Sequence, residues 1–380
     1  MRICMLIARF HPISGGTELQ AGRLARALIK AGDETFVLTA RVGGLPPFER
    51  IDGVTVLRLL APGHGLTCST VFAVSALAAL LARRRDWDVI HAHLASSHAL
   101  AAILAGRLLG RPVVVKLGGA RATGDIGTSL AKPWGRLKLA CIARGASAVV
   151  APSREVLEEA AGFGFPRRSL HVIPNGVDTA TFTPVDAATR ASLRRRFGLP
   201  EQAPVAVYAG RLEPGKGLEF LLDAWPGAND EGFLLVAGEG SLRRELESRH
   251  GSDRVRFLGH LADVREALGA ADLFLLPSAG EGLSNALLEA MACGIPPVAS
   301  PIPANLEVIA HGRTGFIVDL ANPTAGPAGL RAVFAGKTRW TELGAAARRS
   351  IEERFAMPLV RDAWRGLYAE LLAARRPRRH

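Results

Sequence analysis

The chain has 380 residues, 48% of them hydrophobic and 6% aromatic, and a formal net charge of +12. This length suits about two domains of roughly 150 residues each, and the composition is typical of a globular α/β protein. The cysteines are scattered, with no CxxC pair and no histidine at ligand spacing, at Cys4, Cys68, Cys141 and Cys293. We expect reduced thiols in or near the core, in a reducing compartment.

The charge is divided unevenly along the chain. Residues 1–180 carry 22 Lys and Arg against 12 Asp and Glu, residues 181–355 carry 19 against 21, and residues 356–380 carry 6 against 2. A basic first half predicts an anionic partner for that half alone. Nucleic acid is not expected, because no motif for it is present and aromatic residues for base stacking are few. An anionic lipid surface or a phosphorylated acceptor is the prediction, and a merely solvated basic face is the alternative.

The sequence predicts no membrane span. The opening residues 1–12 are interrupted too soon for the apolar core of a secretory signal. The longest apolar run, residues 71–82, has 12 residues, whereas about 20 are needed to cross a bilayer. We therefore expect a cytoplasmic protein that does not cross the membrane, and its basic half would bring it to the inner membrane face as a peripheral protein.

Predicted strands and helices alternate twice along the chain. In the first half, strands are expected within 2–10, 35–40, 88–94, 112–119 and 146–153, and helices within 18–32, 99–110 and 129–145. In the second half, strands are expected within 204–212, 232–240, 255–261, 272–282 and 296–300, and helices within 217–225, 241–249 and 285–293. Such alternation predicts two parallel, doubly wound sheets.

Two breaks in this pattern predict the domain organisation. Residues 171–184 have the composition of a turn and predict an interdomain linker. The last two helices separate at Met357-Pro358, where proline disfavours continuation. The sequence thus predicts a first domain of residues 1–176, a second of residues 177–357 and a C-terminal segment of residues 358–380.

Ligands of parallel sheets bind beyond the carboxyl ends of the strands, so the loops that follow strands are the first candidates for a site. Arg211 follows a predicted strand, and Lys216 lies between two glycines at the start of a helix. Glycine permits close approach of a ligand, while a helix terminus and two cations favour phosphate oxygens. Two solvated cations in a turn are the alternative. The spacing is not that of a Walker A loop, so an ATPase is not indicated.

Residues 281–296 carry two carboxylates in an otherwise small and apolar segment. Glu281 precedes a helix that Asn285 is expected to cap, and Glu289 lies about one turn inside it. Helical side chains lean toward the N-terminus, so both acids are expected near the same end of the helix. They are either two surface glutamates or, with Arg211 and Lys216, a site for a ligand that has both hydroxyls and phosphates. A nucleotide sugar has both.

With these motifs the chain resembles the retaining glycosyltransferases of family 4, which have the two-domain GT-B fold. The resemblance follows the family order over nearly the whole chain, in residues 12–28, 88–94, 172–184, 210–217, 236–247, 281–300 and 312–319. It implies two Rossmann-like domains that face a cleft, the first binding the acceptor and the second the nucleotide sugar. It also implies a C-terminal helix that crosses back to the first domain.

The resemblance implies a role for each matching residue. Arg211 and Lys216 would bind the donor diphosphate and stabilise the charge of the departing nucleotide, and Glu281 would contact the transferred sugar; these three are the predicted catalytic residues. Glu289 would accept hydrogen bonds from the ribose hydroxyls. The other predicted donor-binding residues approach the phosphates or line the base: Gly15, Gly16, Leu258, Gly259, Leu283, Ser284 and Asn285.

The implied reaction moves a sugar from a nucleoside-diphosphate sugar to a glycan, lipid-linked or phosphorylated acceptor. A UDP-sugar is favoured over GDP-mannose, and neither a cofactor nor a metal is expected. The one DxD motif, Asp86-Trp87-Asp88, precedes its strand and therefore lies at the wrong end for a ligand. Two other functions use the same fold: an isomerase or hydrolase of nucleotide sugars, and a catalytically silent binding subunit.

The chain departs from the family pattern in the predicted acceptor pocket. Many relatives have a histidine where this chain has Gly118. Lys116, Arg121 and His93 are the residues predicted to face the acceptor instead, although His93 could equally be a packed histidine. Two further basic segments, residues 129–144 and the tail 375–380, would either attract anionic lipid or remain solvated.

Overall fold

A computed structural model describes residues 1–12, 15–227 and 231–374. The basic tail at residues 375–380 lies outside the described residues, so the prediction made for it is not addressed by the structure. The chain forms two compact units, one of Met1–Gly176 together with Met357–His380 and the other of Val177–Ala356.

The first unit is built on an eight-stranded sheet with the order β3-β4-β2-β1-β5-β6-β7-β8. Its strands are β1 (Arg2–Leu6), β2 (Glu34–Ala40), β3 (Phe48–Ile51), β4 (Val54–Leu59), β5 (Val89–His93), β6 (Val113–Lys116), β7 (Ala148–Ala151) and β8 (Leu170–Val172). Its first six α-helices are α1 (Gly16–Lys30), α2 (Gly65–Ala82), α3 (Ser97–Leu108), α4 (Asp125–Leu130), α5 (Gly135–Gly145) and α6 (Arg154–Phe163). Short 3-10 helices occupy Arg121–Thr123 and Arg167–Ser169.

The sheet is parallel except at one edge, where β3 pairs antiparallel with β4. The predictions omitted this hairpin, although its turn residues signal it. Asp52 (φ 49°) and Gly53 (φ 82°) both adopt the left-handed conformation, which a two-residue turn between antiparallel strands requires. The prediction of a wholly parallel first sheet is therefore wrong at its edge and right for its other strand pairs.

The two faces of this sheet are covered by different helices. Ile3 and Met5 of β1 pack with α1 on one face, while Cys4 and Leu6 pack on the other face with residues of α2, α3, α5 and α6. This alternation follows from the two-residue period of a strand. It leaves α2, α3 and α5 as neighbours in one helical layer.

Helix α2 is longer than the apolar run that predicted it. It spans 18 residues with a mean hydropathy of 1.9, and among the described residues it is the one helix long and apolar enough to cross a membrane. The 12-residue run at 71–82 was only its last two-thirds. The side chains of Phe72, Ala76 and Leu80 are buried in the core of the first unit. The helix thus serves as a crossover between β4 and β5.

The second unit has a six-stranded, wholly parallel sheet with the order β11-β10-β9-β12-β13-β14. Its strands are β9 (Val205–Ala209), β10 (Phe233–Ala237), β11 (Val255–Gly259), β12 (Leu273–Leu276), β13 (Pro297–Ala299) and β14 (Phe316–Ile317). Its α-helices are α7 (Ala187–Arg196), α8 (Leu218–Ala224), α9 (Arg243–His250), α10 (Val264–Ala270), α11 (Asn285–Ala292), α12 (Pro303–Val308), α13 (Ala325–Ala335) and α14 (Trp340–Arg354). A 3-10 helix occupies Lys337–Arg339.

The last helix, α15 (Met357–Ala373), belongs to the first unit. Trp364 and Tyr368 are fully buried there, and Arg365 Nε donates to Asp33 Oδ2 at 2.8 Å. The predicted return of the C-terminal helix to the first domain is confirmed. Met357 begins this helix, whereas the sequence placed that residue in the second domain.

Three smaller predictions differ from the structure. The predicted linker 171–184 begins inside β8, which continues to Val172. The predicted helix within 129–145 is two helices, because Pro133 and the left-handed Trp134 (φ 64°) separate α4 from α5. Cys141 is exposed, although we expected the cysteines in or near the core.

Candidate active site

The loops that follow β9 and β12 join at the carboxyl edge of the second sheet. These strands are neighbours, and the amide of Ala279 donates to the carbonyl of Gly215 at 3.1 Å. Gly217 has a left-handed conformation (φ +69°), and a Cβ at that position would overlap the carbonyl oxygen of Pro277. Glycine is therefore needed at 217 both for its conformation and for the approach of the two loops.

Lys216 and Glu281 meet where these loops join. Lys216 Nζ lies 2.7 Å from Glu281 Oε1, and the side chains are 23% and 14% exposed. Ser278 Oγ donates to the same oxygen at 2.8 Å. The predicted phosphate-binding cation and the predicted sugar-binding acid are thus in direct contact. The sequence predicted their proximity but not the ion pair, and Ser278 was not predicted.

Tyr208, at the end of β9, holds the backbone of Arg211. Its hydroxyl donates to the carbonyl of Arg211 at 2.8 Å, which fixes the start of the loop. Burial raises the pKa of Tyr208, the charge of Glu281 raises it further, and the charge of Arg211 lowers it. The side chain of Arg211 is itself exposed. Tyr208 was missed because a tyrosine inside a strand is usually a core residue.

Helix α11 carries the second predicted acid. Glu289 lies in its second turn and is 5% exposed, so the alternative of two surface glutamates is wrong. The N-cap is Ser284, whose side chain accepts from the amide of Leu287 at 3.3 Å. Asn285, the predicted cap, is instead the first helical residue. Leu283 and Ser284 are buried beside this helix end.

The loop after β10 lies against the Arg211 loop. Cβ atoms at Gly238 and Gly240 would overlap the carbonyl oxygens of Gly210 and Leu212, so these glycines serve loop packing. Glu213 accepts from the amide and the hydroxyl of Ser241, at 3.0 and 2.6 Å. These hydrogen bonds, and then the charge of Arg211, lower the pKa of Glu213.

Leu258 and Gly259, the predicted base-lining residues, end β11 at this same edge of the sheet. Gly259 is left-handed (φ +68°), and its carbonyl accepts from the amide of Gly238 at 2.8 Å. The structure therefore brings the loops that hold Arg211, Lys216, Glu281 and Gly259 to one edge of the second sheet.

Gly15 and Gly16, the predicted phosphate-approaching glycines, lie in the first unit. Gly15 is the N-cap of α1, and Gly16 is its first residue. A Cβ at Gly15 would lie 2.5 Å from Glu18 Oε2. Amides at the start of a 15-residue helix favour an anion. This geometry agrees with the role predicted for the two glycines but does not test that role.

His93 and Lys116 lie at the carboxyl ends of β5 and β6 and are both buried. His93 stacks on His91 with ring centroids 4.1 Å apart, and His91 Nδ1 lies 2.7 Å from the hydroxyl of Tyr368. Lys116 Nζ donates to Asn175 Oδ1 at 2.8 Å. Burial lowers the pKa of Lys116 to about 8 and that of His93 well below its usual value.

Gly118, at the position where the resemblance implies a histidine, faces a filled space. A Cβ there would lie 2.5 Å from Leu94 Cδ2. Asp125 ties this loop to its neighbour, because its carboxylate accepts from the amides of Ala95 at 2.7 Å and Gly118 at 2.6 Å. Its buried position raises the pKa of Asp125. Asp125 was not predicted, because a carboxylate that accepts hydrogen bonds from backbone amides forms no sequence motif.

Arg121, the third predicted acceptor residue, is exposed and bonded to α6. Its Nε donates to Glu155 Oε1 at 2.8 Å and its amide donates to Glu159 Oε2 at 2.8 Å.

The described residues contain no group of three or more His, Cys, Asp or Glu that could hold a metal ion. In the DxD motif, Asp88 binds the guanidinium of Arg2 and Trp87 is fully buried.

Comparison with known families divides the chain at the same place as its two sheets. Residues 14–181 match the family described as glycosyltransferase family 4. Residues 203–334 match the one described as glycosyl transferases group 1.

Curated relatives match over the whole chain. The D-inositol 3-phosphate glycosyltransferase of Xylanimonas cellulosilytica is 32% identical, over 100% of this chain and 98% of its own. The N-acetyl-alpha-D-glucosaminyl L-malate synthase of Bacillus anthracis is 25% identical, over 95% and 96%. Among solved structures, HepE of Anabaena in complex with UDP has a TM-score of 0.81 at 20% identity, over 97% of this chain and 100% of that one.

Proposed function

This chain belongs to the family 4 glycosyltransferases, hexosyltransferases that use nucleotide-sugar donors, and from that premise we propose that its donor is a UDP-sugar. We further propose that it transfers the sugar with retention of anomeric configuration, without a metal, to an acceptor that carries a phosphate or another anionic group. GDP-mannose is the second donor candidate, since a GDP-mannose-dependent alpha-mannosyltransferase of Mycolicibacterium smegmatis is 29% identical over 99% of this chain.

The observation that carries the proposal is the ion pair of Lys216 with Glu281. A nucleotide sugar offers a partner to each member of the pair. Its phosphate oxygens bind the ammonium of Lys216, and a sugar hydroxyl donates to the carboxylate of Glu281. The pair is only partly buried, so a ligand can reach both groups. Each group is held in place before the donor arrives, which is the condition for stabilising charge in a transition state.

The proposed step breaks the bond between the anomeric carbon and the donor phosphate and forms a bond from that carbon to the acceptor oxygen. The acceptor hydroxyl gives its proton to the leaving diphosphate, on the same face of the sugar. Lys216 and Arg211 would stabilise the negative charge that grows on this diphosphate. Glu281 would orient the sugar, and Glu289, in the buried turn of α11, would bind the ribose.

The acceptor is proposed from charge and from the names of relatives. Residues 1–180 have ten more basic than acidic residues, 22 against 12. Relatives are named for inositol 3-phosphate and for malate, both anionic acceptors. A relative named for a phosphatidylinositol monomannoside matches half of this chain at 34% identity. We therefore favour a phosphorylated or lipid-linked acceptor over a neutral glycan.

A thermal-unfolding screen of UDP-, GDP- and ADP-sugars tests the donor. A ligand at 100 times its Kd stabilises the folded chain by about 2.7 kcal/mol, so UDP-sugars should raise Tm by several degrees. The shift should be lost in Lys216→Met and kept in Lys337→Met, which removes an exposed lysine of the same unit. A shift with GDP-mannose alone would overturn the UDP assignment.

Product analysis then tests the reaction itself. With the stabilising donor, UDP release should require an anionic acceptor, and the product should keep the anomeric configuration of the donor. Release of free sugar or a rearranged nucleotide without acceptor would identify a hydrolase or an isomerase instead. Donor binding with no product under either condition would identify a silent binding subunit.

A further inference from the structure

Helices α2, α3 and α5 form one continuous layer on the first unit. Ser69 Oγ donates to Ser97 Oγ at 2.9 Å, which joins the starts of α2 and α3. Arg107 Nη2 donates to the carbonyl of Arg144 at 3.3 Å, which joins the ends of α3 and α5. We call the outward side chains of residues 65–85, 97–108 and 130–145 the α2–α3–α5 face.

Helix α2 presents an uncharged stripe to solvent. Its outward positions follow each other at intervals of four residues, and Leu66 is 82% and Val74 63% exposed. The 18 residues of the helix include no Asp, Glu, Lys or Arg. A helix on the surface of a globular protein normally has polar and charged residues on its outer face, so this stripe indicates a partner.

The apolar surface extends across the whole face. Leu104 and Leu108 of α3 are 45% and 63% exposed, and Trp134 and Leu137 at the start of α5 are 80% and 57% exposed. The α2–α3–α5 face holds seven of the sixteen large hydrophobic side chains exposed among the described residues: Leu66, Val74, Leu104, Leu108, Leu130, Trp134 and Leu137. Such concentration of exposed apolar surface marks an interaction site.

The charge of the face identifies its partner. None of the three helices contains an acidic residue. Basic residues lie in α3 and α5 and beside the ends of the helices: Arg83, Arg84, Arg85, Arg107, Lys132, Arg136, Lys138 and Arg144. Helix α6, on the same side of the sheet, has Glu155, Glu158 and Glu159. Acidic residues are therefore absent from the apolar part of the layer, although the layer as a whole contains them.

We propose that the α2–α3–α5 face docks on a lipid bilayer that contains anionic lipids. An apolar stripe with cations at its borders fits the boundary between headgroups and acyl chains. Trp134 would lie at the headgroup level, where an indole has both apolar and polar neighbours. Lys132 and Arg136, on either side of Trp134, would bind lipid phosphates.

Other partners fit this face less well. A second copy of the chain would bring two acid-free basic surfaces together, which like-charge repulsion opposes. Nucleic acid would use the cations and leave the leucines, Val74 and Trp134 without a partner. A membrane span by α2 would require Phe72, Ala76 and Leu80 to leave the core of the first unit.

The face reaches the edge of the sheet where the predicted acceptor residues lie. Helices that follow parallel strands begin at the carboxyl edge of the sheet. Leu66 and Trp134, at the starts of α2 and α5, are therefore on the same edge as His93 and Lys116. A docked first unit would present this edge to the membrane surface. The presentation of this edge to the membrane rests on the proposed function, because it concerns delivery of a lipid-linked acceptor. Docking itself does not rest on the proposed function.

Flotation of the full-length chain with lipid vesicles tests the proposal. Vesicles of phosphatidylcholine with about one-third phosphatidylglycerol should bind it at least about tenfold more tightly than pure phosphatidylcholine, and added salt should weaken the binding. Val74→Glu and Trp134→Ser remove the apolar contacts, and Lys132→Glu reverses one border charge. Each should weaken binding to anionic vesicles by about tenfold. Leu306→Glu, at a position 54% exposed in the second unit, should have no effect.

Three outcomes would overturn docking on anionic lipid. They are equal binding to neutral and anionic vesicles, binding that all three variants preserve, and a dimer in sedimentation velocity that Val74→Glu dissociates. Thermal unfolding with the stabilising nucleotide sugar serves as the folding control, since these variants should keep the same ligand-induced rise in Tm. That control also separates the two proposals, because failure of docking leaves donor binding intact.

Discussion

The carboxyl edges of the two sheets use their charged residues in opposite ways. In the second unit, Lys216 and Glu281 are partly exposed and contact each other across two loops. In the first unit, Lys116 is 6% and His93 1% exposed, and Lys116 bonds to Asn175 within the fold. The charged side chains of one edge are therefore partly open to solvent, whereas those of the other edge are buried.

The two sides of the proposed reaction place different demands on these edges. A nucleoside-diphosphate sugar always offers the same diphosphate, so the proposed donor side needs a cation such as Lys216 within reach of the ligand. Acceptors differ in chemistry, and specificity for them depends on pocket shape and a few hydrogen bonds. At Gly118, on the predicted acceptor side, Leu94 occupies the space into which a side chain would extend.

The largest expected effect is the loss of sugar transfer in Lys216→Ala. Removing a preorganised cation from the leaving diphosphate should lower kcat by about 10³-fold, or about 4 kcal/mol in the barrier. Steady-state kinetics with the donor found in the thermal screen measures it. Lys337→Ala, an exposed lysine of the same unit, should keep wild-type rates. A loss in Lys216→Ala of less than tenfold would refute its catalytic role.

The second-largest effect is expected for Gly217→Ala, which should lower the stability of the fold. The new Cβ meets the carbonyl of Pro277 at a left-handed φ of +69°, and we expect the free energy of unfolding to fall by about 3 kcal/mol. Gly215→Ala is the matched control, because φ there is +85° and nothing lies within 4 Å of the added Cβ. It should cost about 1 kcal/mol. Equal losses in urea unfolding would show that the loops do not depend on this close approach.

Lys116→Met tests the buried charge at the carboxyl edge of the first sheet. Burial lowers the pKa of Lys116 from 10.5 to about 8, so between these pH values the unfolded chain binds more protons than the folded chain. Stability of the wild type should therefore increase with pH in that window. Relative to Lys116→Met, the gain between pH 7.5 and pH 10 should be about 2 kcal/mol. Lys132→Met, at an exposed position, should track the wild type. Parallel pH profiles for wild type and Lys116→Met in urea unfolding would refute the lowered pKa.

Arg365→Ala should have the smallest effect. Arg365 binds Asp33, whose side chain is 1% exposed and also contacts the N-terminal amine at 2.9 Å. Because the second partner remains, we expect a loss of about 1 kcal/mol in the free energy of unfolding. Arg361 pairs with the exposed neighbouring Asp362, so Arg361→Ala should cost no more than about 0.5 kcal/mol. If Arg361→Ala cost as much as Arg365→Ala, the contact with Asp33 would not anchor α15.

The alternating pattern of the sequence was sufficient to predict two α/β units and the loops that bring Lys216 and Glu281 together. It was not sufficient where side chains meet across the sheet. Lys216 and Glu281 are 65 positions apart, so only the order of β9 and β12 makes them neighbours. His93 and Lys116 were predicted to face an acceptor, but a strand pattern does not show how deeply its last residue is buried. The exposed stripe of α2 was also missed. An apolar helix suggests burial on all sides, whereas α2 is buried on one side only.

The last helix has a consequence for how the chain folds as it is synthesised. Trp364 and Tyr368 complete the core of the first unit, yet they leave the ribosome after the whole of Val177–Ala356. The second unit is continuous and has all of its residues by Ala356, whereas the first must wait for its final side chains. Domains usually mature in the order in which they are made, and here we expect that order to be reversed. A released chain that ends at residue 356 should have a protease-resistant second unit and a first unit that is still cleaved.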